Sequence, residues 1–173
     1  MKQLINKVDI QELIQLTNSD FNTNSIKESI LNSQIMDLEP LLTDELYNNL
    51  LMNVTDDNYQ TLLKGGIYNF EGTAYTNVGL KTVLSYYAYA RFILFGDVKS
   101  TPFGNVIKDS NFSENENEAS KKKRYKMYQQ VAFKYWRNVE LFLNRNATNY
   151  PLWNNKSLCQ VNKNRVFRIS KIS

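Results

Sequence analysis

The sequence predicts an all-α protein: a small bundle of four or five helices with a long C-terminal helix, a short hairpin-like loop and extended terminal arms. Three observations carry this reading. Apolar residues recur at i, i+3, i+4 and i+7 in several separate stretches, which is the signature of helices that bury one face. Glycines and prolines are few, 6 and 3 in 173 residues, and Pro40, Gly65, Gly66 and Gly96 stand at the ends of those stretches. Only short runs alternate in the way a half-buried strand requires.

Residues 1–24 show no sustained period and read as an N-terminal arm with some extended structure. Ser25 and Glu28 have capping-box spacing ahead of Ile26, Ile30, Leu31, Ile35 and Leu38, which predicts a first helix that Pro40 interrupts. A second helix starts at Thr43 or Asp44 with Leu46, Tyr47, Leu50, Leu51 and Val54 on one face. Asp56 or Asp57 caps a short third helix that ends at Gly65 and Gly66. Tyr68, Phe70, Gly72 and Tyr75 then suggest a tight loop or small hairpin.

The stretch from about Asn77 to Phe95 is apolar nearly all round and is the expected central helix, with Ala88 and Ala90 permitting close packing. Gly96 ends it, and the loop through Thr101, Pro102, Phe103 and Gly104 reads as a second turn or hairpin. Ser113 and Glu116 repeat the capping-box spacing and introduce a long helix to about Asn146, with Tyr128, Val131, Ala132, Tyr135, Val139 and Phe142 along its stripe. Leu84, Tyr87, Ala88, Val131, Tyr135 and Val139 are therefore expected to meet in the core. The chain divides into the arm, a helical domain over residues 25–150 and a basic tail over residues 151–173.

Composition removes whole classes of chemistry. A chain of this length buries about 70% of its unfolded surface, enough for one core. It contains no histidine, so Ser-His-Asp triads, Cys-His nucleophiles and HExxH metal sites are all excluded. Cys159 is alone and can close no intrachain disulfide. The N-terminus has no uninterrupted apolar run like that of a signal peptide, and Leu80 to Phe95 falls short of the about 20 residues a membrane span needs. A soluble protein is expected.

No motif replaces the missing histidine chemistry. Gly72 and Gly79 have the wrong spacing for a phosphate loop, and Leu80 separates Gly79 from Lys81. Asp56 and Asp57 lack a third metal ligand and suit a helix cap, and Glu114 with Glu118 would lie on an exposed first turn. Neither an enzyme nor a cofactor is expected.

The net charge of +4 conceals an asymmetry: residues 1–118 carry 8 basic and 16 acidic side chains, whereas residues 119–173 carry 13 and 1. Such a split fits an acidic partner, nucleic acid included, or two surfaces of opposite sign that meet between copies. Lys121, Lys122, Lys123, Arg124 and Lys126, interleaved with Tyr125 and Tyr128, form the densest cluster. They are candidates for phosphate or interface contact, while pairs such as Glu118 with Lys122 would equally make them an ordinary solvated helix face. Trp136, off the main stripe, and Trp153, with Arg165 and Arg168 in the tail, complete the candidate interface or DNA-facing set.

Taken in order, DLEPLLTDELYNNLL at residues 37–51, LLKGGIYNFEGTAYTNVGLKTVLSYYAYARF at residues 62–92, TPFGNV at residues 101–106 and KYWRNVELFL at residues 134–143 resemble the head-tail connector proteins of tailed bacteriophages. These are the adaptor or head-completion ring proteins, and the Asn-, Lys-, Ile- and Tyr-rich usage is similar to that of ring proteins of crAss-like phages. Thr43 stands where such proteins are expected to carry glycine, and the basic tail is an addition. The resemblance implies a virion structural protein made in the host cytoplasm. It would form a ring of about twelve copies on the portal protein at the head-tail junction, a heterologous arrangement of identical subunits. The ring would receive the next tail or ring protein and let duplex DNA pass without sequence-specific binding and without a membrane. A small basic helical nucleic-acid-binding protein is the alternative, and a toxin-like or regulatory helical module a third.

Overall fold

The computed structural model describes residues 2–14, 23–95, 98–101, 104–107 and 117–153. The fold is mostly helical but not purely all-α, with six α-helices among the described residues and two small antiparallel strand pairs at the places where the sequence suggests a tight loop or small hairpin and a turn or hairpin.

Residues 2–14 are not an extended arm. Helix α1 spans Lys7–Leu13 behind a reciprocal cap, in which the Asn6 side chain accepts from the N–H groups of Val8 and Asp9 while the Asp9 carboxylate accepts from the Asn6 N–H at 2.7 Å. Two turns are too short to display a period, which is why the sequence hides this helix. Leu4, Ile5, Ile10 and Ile14 all enter the core, and Lys81 pairs with Asp9 at 2.8 Å. The buried Gln34 holds the segment by its backbone, accepting from Leu4 N–H at 2.7 Å and donating to the Lys2 carbonyl at 3.1 Å.

Helix α2, Thr23–Ser33, begins before Ser25, so Ser25 is an interior residue whose carbonyl accepts from the Ser29 hydroxyl rather than a cap. It widens into a π-helical turn, Gln34–Leu38, and tightens to a 3₁₀ turn, Glu39–Leu41. Pro40 has no N–H to give the helix and its ring crowds the carbonyl one turn back, so the helix stops as expected. Helix α3, Asp44–Met52, is capped by Thr43, whose Oγ1 accepts from Leu46 N–H and donates to the Leu152 carbonyl at 2.9 Å. Helix α4, Asp57–Lys64, is capped by Asp56 and ends at Gly65 with φ 79°.

Strands β1, Gly66–Phe70, and β2, Thr73–Asn77, pair in register from Gly66 opposite Asn77 to Phe70 opposite Thr73. The two linking residues, Glu71 and Gly72, both have positive φ, 51° and 77°, the requirement of a type I′ turn. This hairpin is fastened to the last helix, α6 (Glu118–Arg145). Asn138 accepts from Val78 N–H and donates to the Thr76 carbonyl, both at 2.9 Å. The Arg145 guanidinium stands 3.8 Å from the Tyr75 ring centroid and donates to the Tyr68 hydroxyl at 3.0 Å.

Helix α5, Leu80–Phe95, is the central element, packed against α6 on one side and α1 and α2 on others. It starts three residues later than expected because Asn77 belongs to β2 and Gly79 makes the turn. Strands β3, Val98–Thr101, and β4, Gly104–Ile107, pair antiparallel from Val98 opposite Ile107 to Thr101 opposite Gly104, and Pro102 and Phe103 of the expected loop lie outside the described residues. The long helix starts later than Ser113 and Glu116 imply: Asn117 caps it, accepting from Ser120 N–H at 2.8 Å, and its 28 residues run about 42 Å.

Leu84, Tyr87, Ala88 and Val139 are buried as expected, while Val131 and Tyr135 lie at the edge of the core. The buried stripe of α6 runs through Ala132, Trp136, Val139, Phe142 and Leu143; Ala132, Val139 and Phe142 are on the predicted stripe, while Trp136 and Leu143 are buried where Val131 and Tyr135 were expected. Trp136 is thus at the centre of the core. After α6 the chain turns back, and residues 151–153 form a 3₁₀ turn that buries Trp153 on Trp136. The Tyr150 hydroxyl donates to the Asn58 carbonyl at 2.7 Å, so the domain extends beyond residue 150. The rest of the basic tail, with Cys159, Arg165 and Arg168, lies outside the described residues, as do Ser113, Glu114 and Glu116.

Candidate interface on helix α6

Helix α6 has two halves of different character. From Ala132 onward it supplies a continuous buried stripe, whereas from Glu118 to Val131, about 20 Å of helix, none of its described residues is buried. Lys122, Lys123, Arg124 and Lys126 are exposed and Lys121 is half-buried. Consecutive residues advance about 100° around a helix, so this run offers cationic groups on most of the circumference rather than on one stripe. Lys122 forms the anticipated i,i+4 ion pair with Glu118, and hydrogen bonding to that ammonium pulls the Glu118 carboxyl below its ordinary range. Tyr125 is half-buried and its hydroxyl accepts from Gln129 at 2.6 Å.

The two tryptophans expected as exposed anchors are core residues, 2% and 3% exposed, and present no surface to a partner. Their indoles satisfy the core instead, with Trp153 Nε1 donating to Asn144 at 2.7 Å. The exposed apolar groups are others. Met36 on the π-helical turn is 63% exposed and Phe133 on α6 47%.

These two flank a groove of about 640 Å³ between the π-helical turn, Pro40 and Leu41 on one wall and α6 on the other. Its floor includes Tyr87 from α5, and Lys126, Lys134, Gln129 and Gln130 line its α6 side. Burial, with the nearby Asp37 and Tyr125 adding to it, pushes the Tyr87 hydroxyl up to about 12. Asp37 also lines the groove, but its carboxylate is taken: Arg91 Nε and Nη2 donate to its two oxygens at 2.6 and 2.9 Å. Those hydrogen bonds raise the Arg91 guanidinium above its already high value. Among the described residues lining the groove, the only carboxylate near the cationic rim of Lys126 and Lys134 is the ion-paired one of Asp37.

Sequence reasoning found the basic run, which is contiguous, but missed the groove, which draws on three separated segments. A usable signal existed in Ile35 and Met36, adjacent apolar residues that a single helix face cannot both bury. Gly79 and Lys81, dismissed as a phosphate loop, serve the turn into α5 and the pair with Asp9, and Asp56 caps α4. Among the described residues no group of acidic, cysteine or histidine side chains is placed to hold a metal ion, and no helix is long and apolar enough to cross a membrane.

No curated protein and no solved structure matches the chain. A family model does, over residues 38–163, from the end of the π-helical turn through α3 to α6 and into the tail. The match takes in both hairpins and the basic half of α6, and the chain belongs to the Family of unknown function DUF6712.

Proposed function

We propose that this chain is a virion structural protein, a head-tail connector subunit that assembles as a ring on the portal around the DNA channel and joins the capsid to the tail. The observation that carries the reading is α6, a long helix whose C-terminal half is built into the core and whose N-terminal half presents Lys122, Lys123, Arg124 and Lys126 after a segment, residues 1–118, in which acids outnumber bases 16 to 8. One subunit thereby carries segments of opposite sign, which suits head-to-tail contacts between identical copies around a ring. The resemblance supplies the remaining parts: about twelve copies, a portal below, a tail or ring protein above and DNA passing through. Electron microscopy of the purified protein, alone and with a portal ring, tests this. Stacked rings are the expected image, and a protein that neither forms rings nor binds the portal overturns the proposal.

The exposed basic run also favours a second reading, a small basic helical nucleic-acid-binding protein. The two readings differ in grip, because each cation set against a phosphate lowers log K by about 0.9 per decade of salt on duplex DNA. A channel must let DNA slide, so the connector reading requires most of these cations to meet carboxylates of a neighbour or of the portal. A duplex titration at physiological salt is expected to show weak binding. Tight binding that a K122E/K123E/R124E variant loses, while its assembly is unchanged, favours the second reading.

A further inference from the structure

We infer that the groove between Met36 and Phe133 receives the α3–α4 corner of a second copy of this chain, with Met52 as the apolar knob and Asp56 and Asp57 meeting Lys126 and Lys134. The inference rests on the ring reading and names the surfaces that would join its subunits.

The groove supplies half of the argument. It is open, with Met36, Pro40 and Leu41 beside the ion-paired Asp37 on one wall, Tyr87 from α5 between the walls, and two ammonium groups edging the other wall. The ligand it fits has an apolar side chain with carboxylates close by on one side. Among the described residues the most exposed large apolar side chains are Met52 and Ile67, each 79% exposed. Ile67 lies on β1 and faces Thr76 across the ribbon, with no acid within three residues in sequence. Met52 ends α3, and Asp56 and Asp57, both exposed, follow within five residues at the start of α4. Of the two most exposed apolar groups, only Met52 combines the two features. An unbranched thioether suits a groove of irregular outline, since methionine adapts its shape at little cost.

The knob cannot enter its own groove. Pro40 and Leu41 line the groove and lie just ahead of α3, while Met52 is at the far end of that nine-residue helix, about 13 Å away along its axis. The occupant is therefore another copy. Knob and groove are different surfaces, so the contact is head-to-tail and an open assembly keeps one free groove at one end and one free knob at the other until it closes.

Charge reversal tests the contact, measured by sedimentation of the full chain with circular dichroism as the check on folding. The groove variant is K126E/K134E. The knob variant is D56N/D57K, in which asparagine keeps the α4 cap. Each variant alone is expected to raise the concentration for half-assembly at least about tenfold, and M52D to do the same. An equimolar mixture of the two charge variants is expected to restore assembly, because each groove then meets a knob of opposite sign. A parent that stays monomeric at its highest soluble concentration, variants that assemble like the parent, or a mixture that fails to rescue each overturns the inference. Portal binding separates this from the broader reading. Rings that persist in both charge variants and still bind the portal overturn the contact and leave the connector proposal standing. A parent ring that the swaps control but that never binds a portal does the reverse. Loss of portal binding in the groove variant alone, with a monomeric parent, assigns the groove to the portal.

Discussion

The indole of Trp153 meets that of Trp136 edge to face, with centroids 6.0 Å apart, and so ties the last described turn of the chain to the middle of α6. Nothing else in the C-terminal turn buries so large an apolar group, although Tyr150 adds contacts to Tyr59 and Phe142. Trp153→Ala is therefore expected to cost about 3 to 5 kcal/mol, read from urea unfolding, and Trp153→Phe less. A Trp153→Ala protein as stable as the parent would show that this turn is not part of the fold.

Asp37 and Arg91 are expected to behave as a buried pair, since their side chains are only 9% and 16% exposed. Asp37→Ala leaves the guanidinium beneath the groove without its partner and should destabilise by about 3 kcal/mol. Replacing both by apolar residues, Asp37→Leu with Arg91→Met, should recover most of that loss. A double-mutant cycle checks it, with additive single effects as the contrary result.

Alkaline pH is expected to weaken the fold through Tyr87. Its hydroxyl is held near 12 in the folded chain by burial, against about 10 in an unfolded one. The unfolded state releases its proton first, so stability is full below about pH 10 and falls as pH rises from there through the folded value. Tyr150, raised by burial and by the neighbouring Tyr59, acts in the same direction. Stability measured against pH should fall less steeply in Tyr87→Phe than in the parent between pH 10 and 12; parallel curves would remove Tyr87 as a cause.

The glycines separate into two kinds. A Cβ at Gly79 would lie 2.5 Å from the Leu63 carbonyl oxygen and one at Gly65 2.3 Å from that of Asn77, and both residues have positive φ. Alanine at either should destabilise by at least about 2 kcal/mol, strain and clash together. Gly72 has positive φ with open space around it, so Gly72→Asn should stay within about 1 kcal/mol, since asparagine tolerates that conformation. Thermal melts of the three variants decide it, and an equal loss at all three would contradict the distinction.

What could be read from the sequence was local. Thr43, Asp56 and Gly65 announce helix ends because a cap involves neighbours two to four residues apart, and the Glu71–Gly72 turn is legible for the same reason. Helix α1 escaped because it buries only Ile10 in two turns. Trp136 was placed off the buried stripe because Tyr128 and Tyr135, which flank the core and pack on Tyr86, gave the apolar pattern a false centre. Asp37 and Arg91 are 54 residues apart, and no periodicity links them. The groove was hidden for that reason too: Ile35 and Met36 signal an apolar face left uncovered, but tertiary approach alone sets α6 opposite it.

A two-stranded ribbon alone is marginal in water and bends easily. The β1–β2 ribbon does not stand alone, for Asn138 clips its base and Arg145 spans its middle through Tyr68 and Tyr75. Both of these residues are on α6, two turns apart. The ribbon is thus braced at two points by a helix anchored in the core, so a load on the tip at Glu71 passes into α6 instead of being spent wholly in flexing the ribbon.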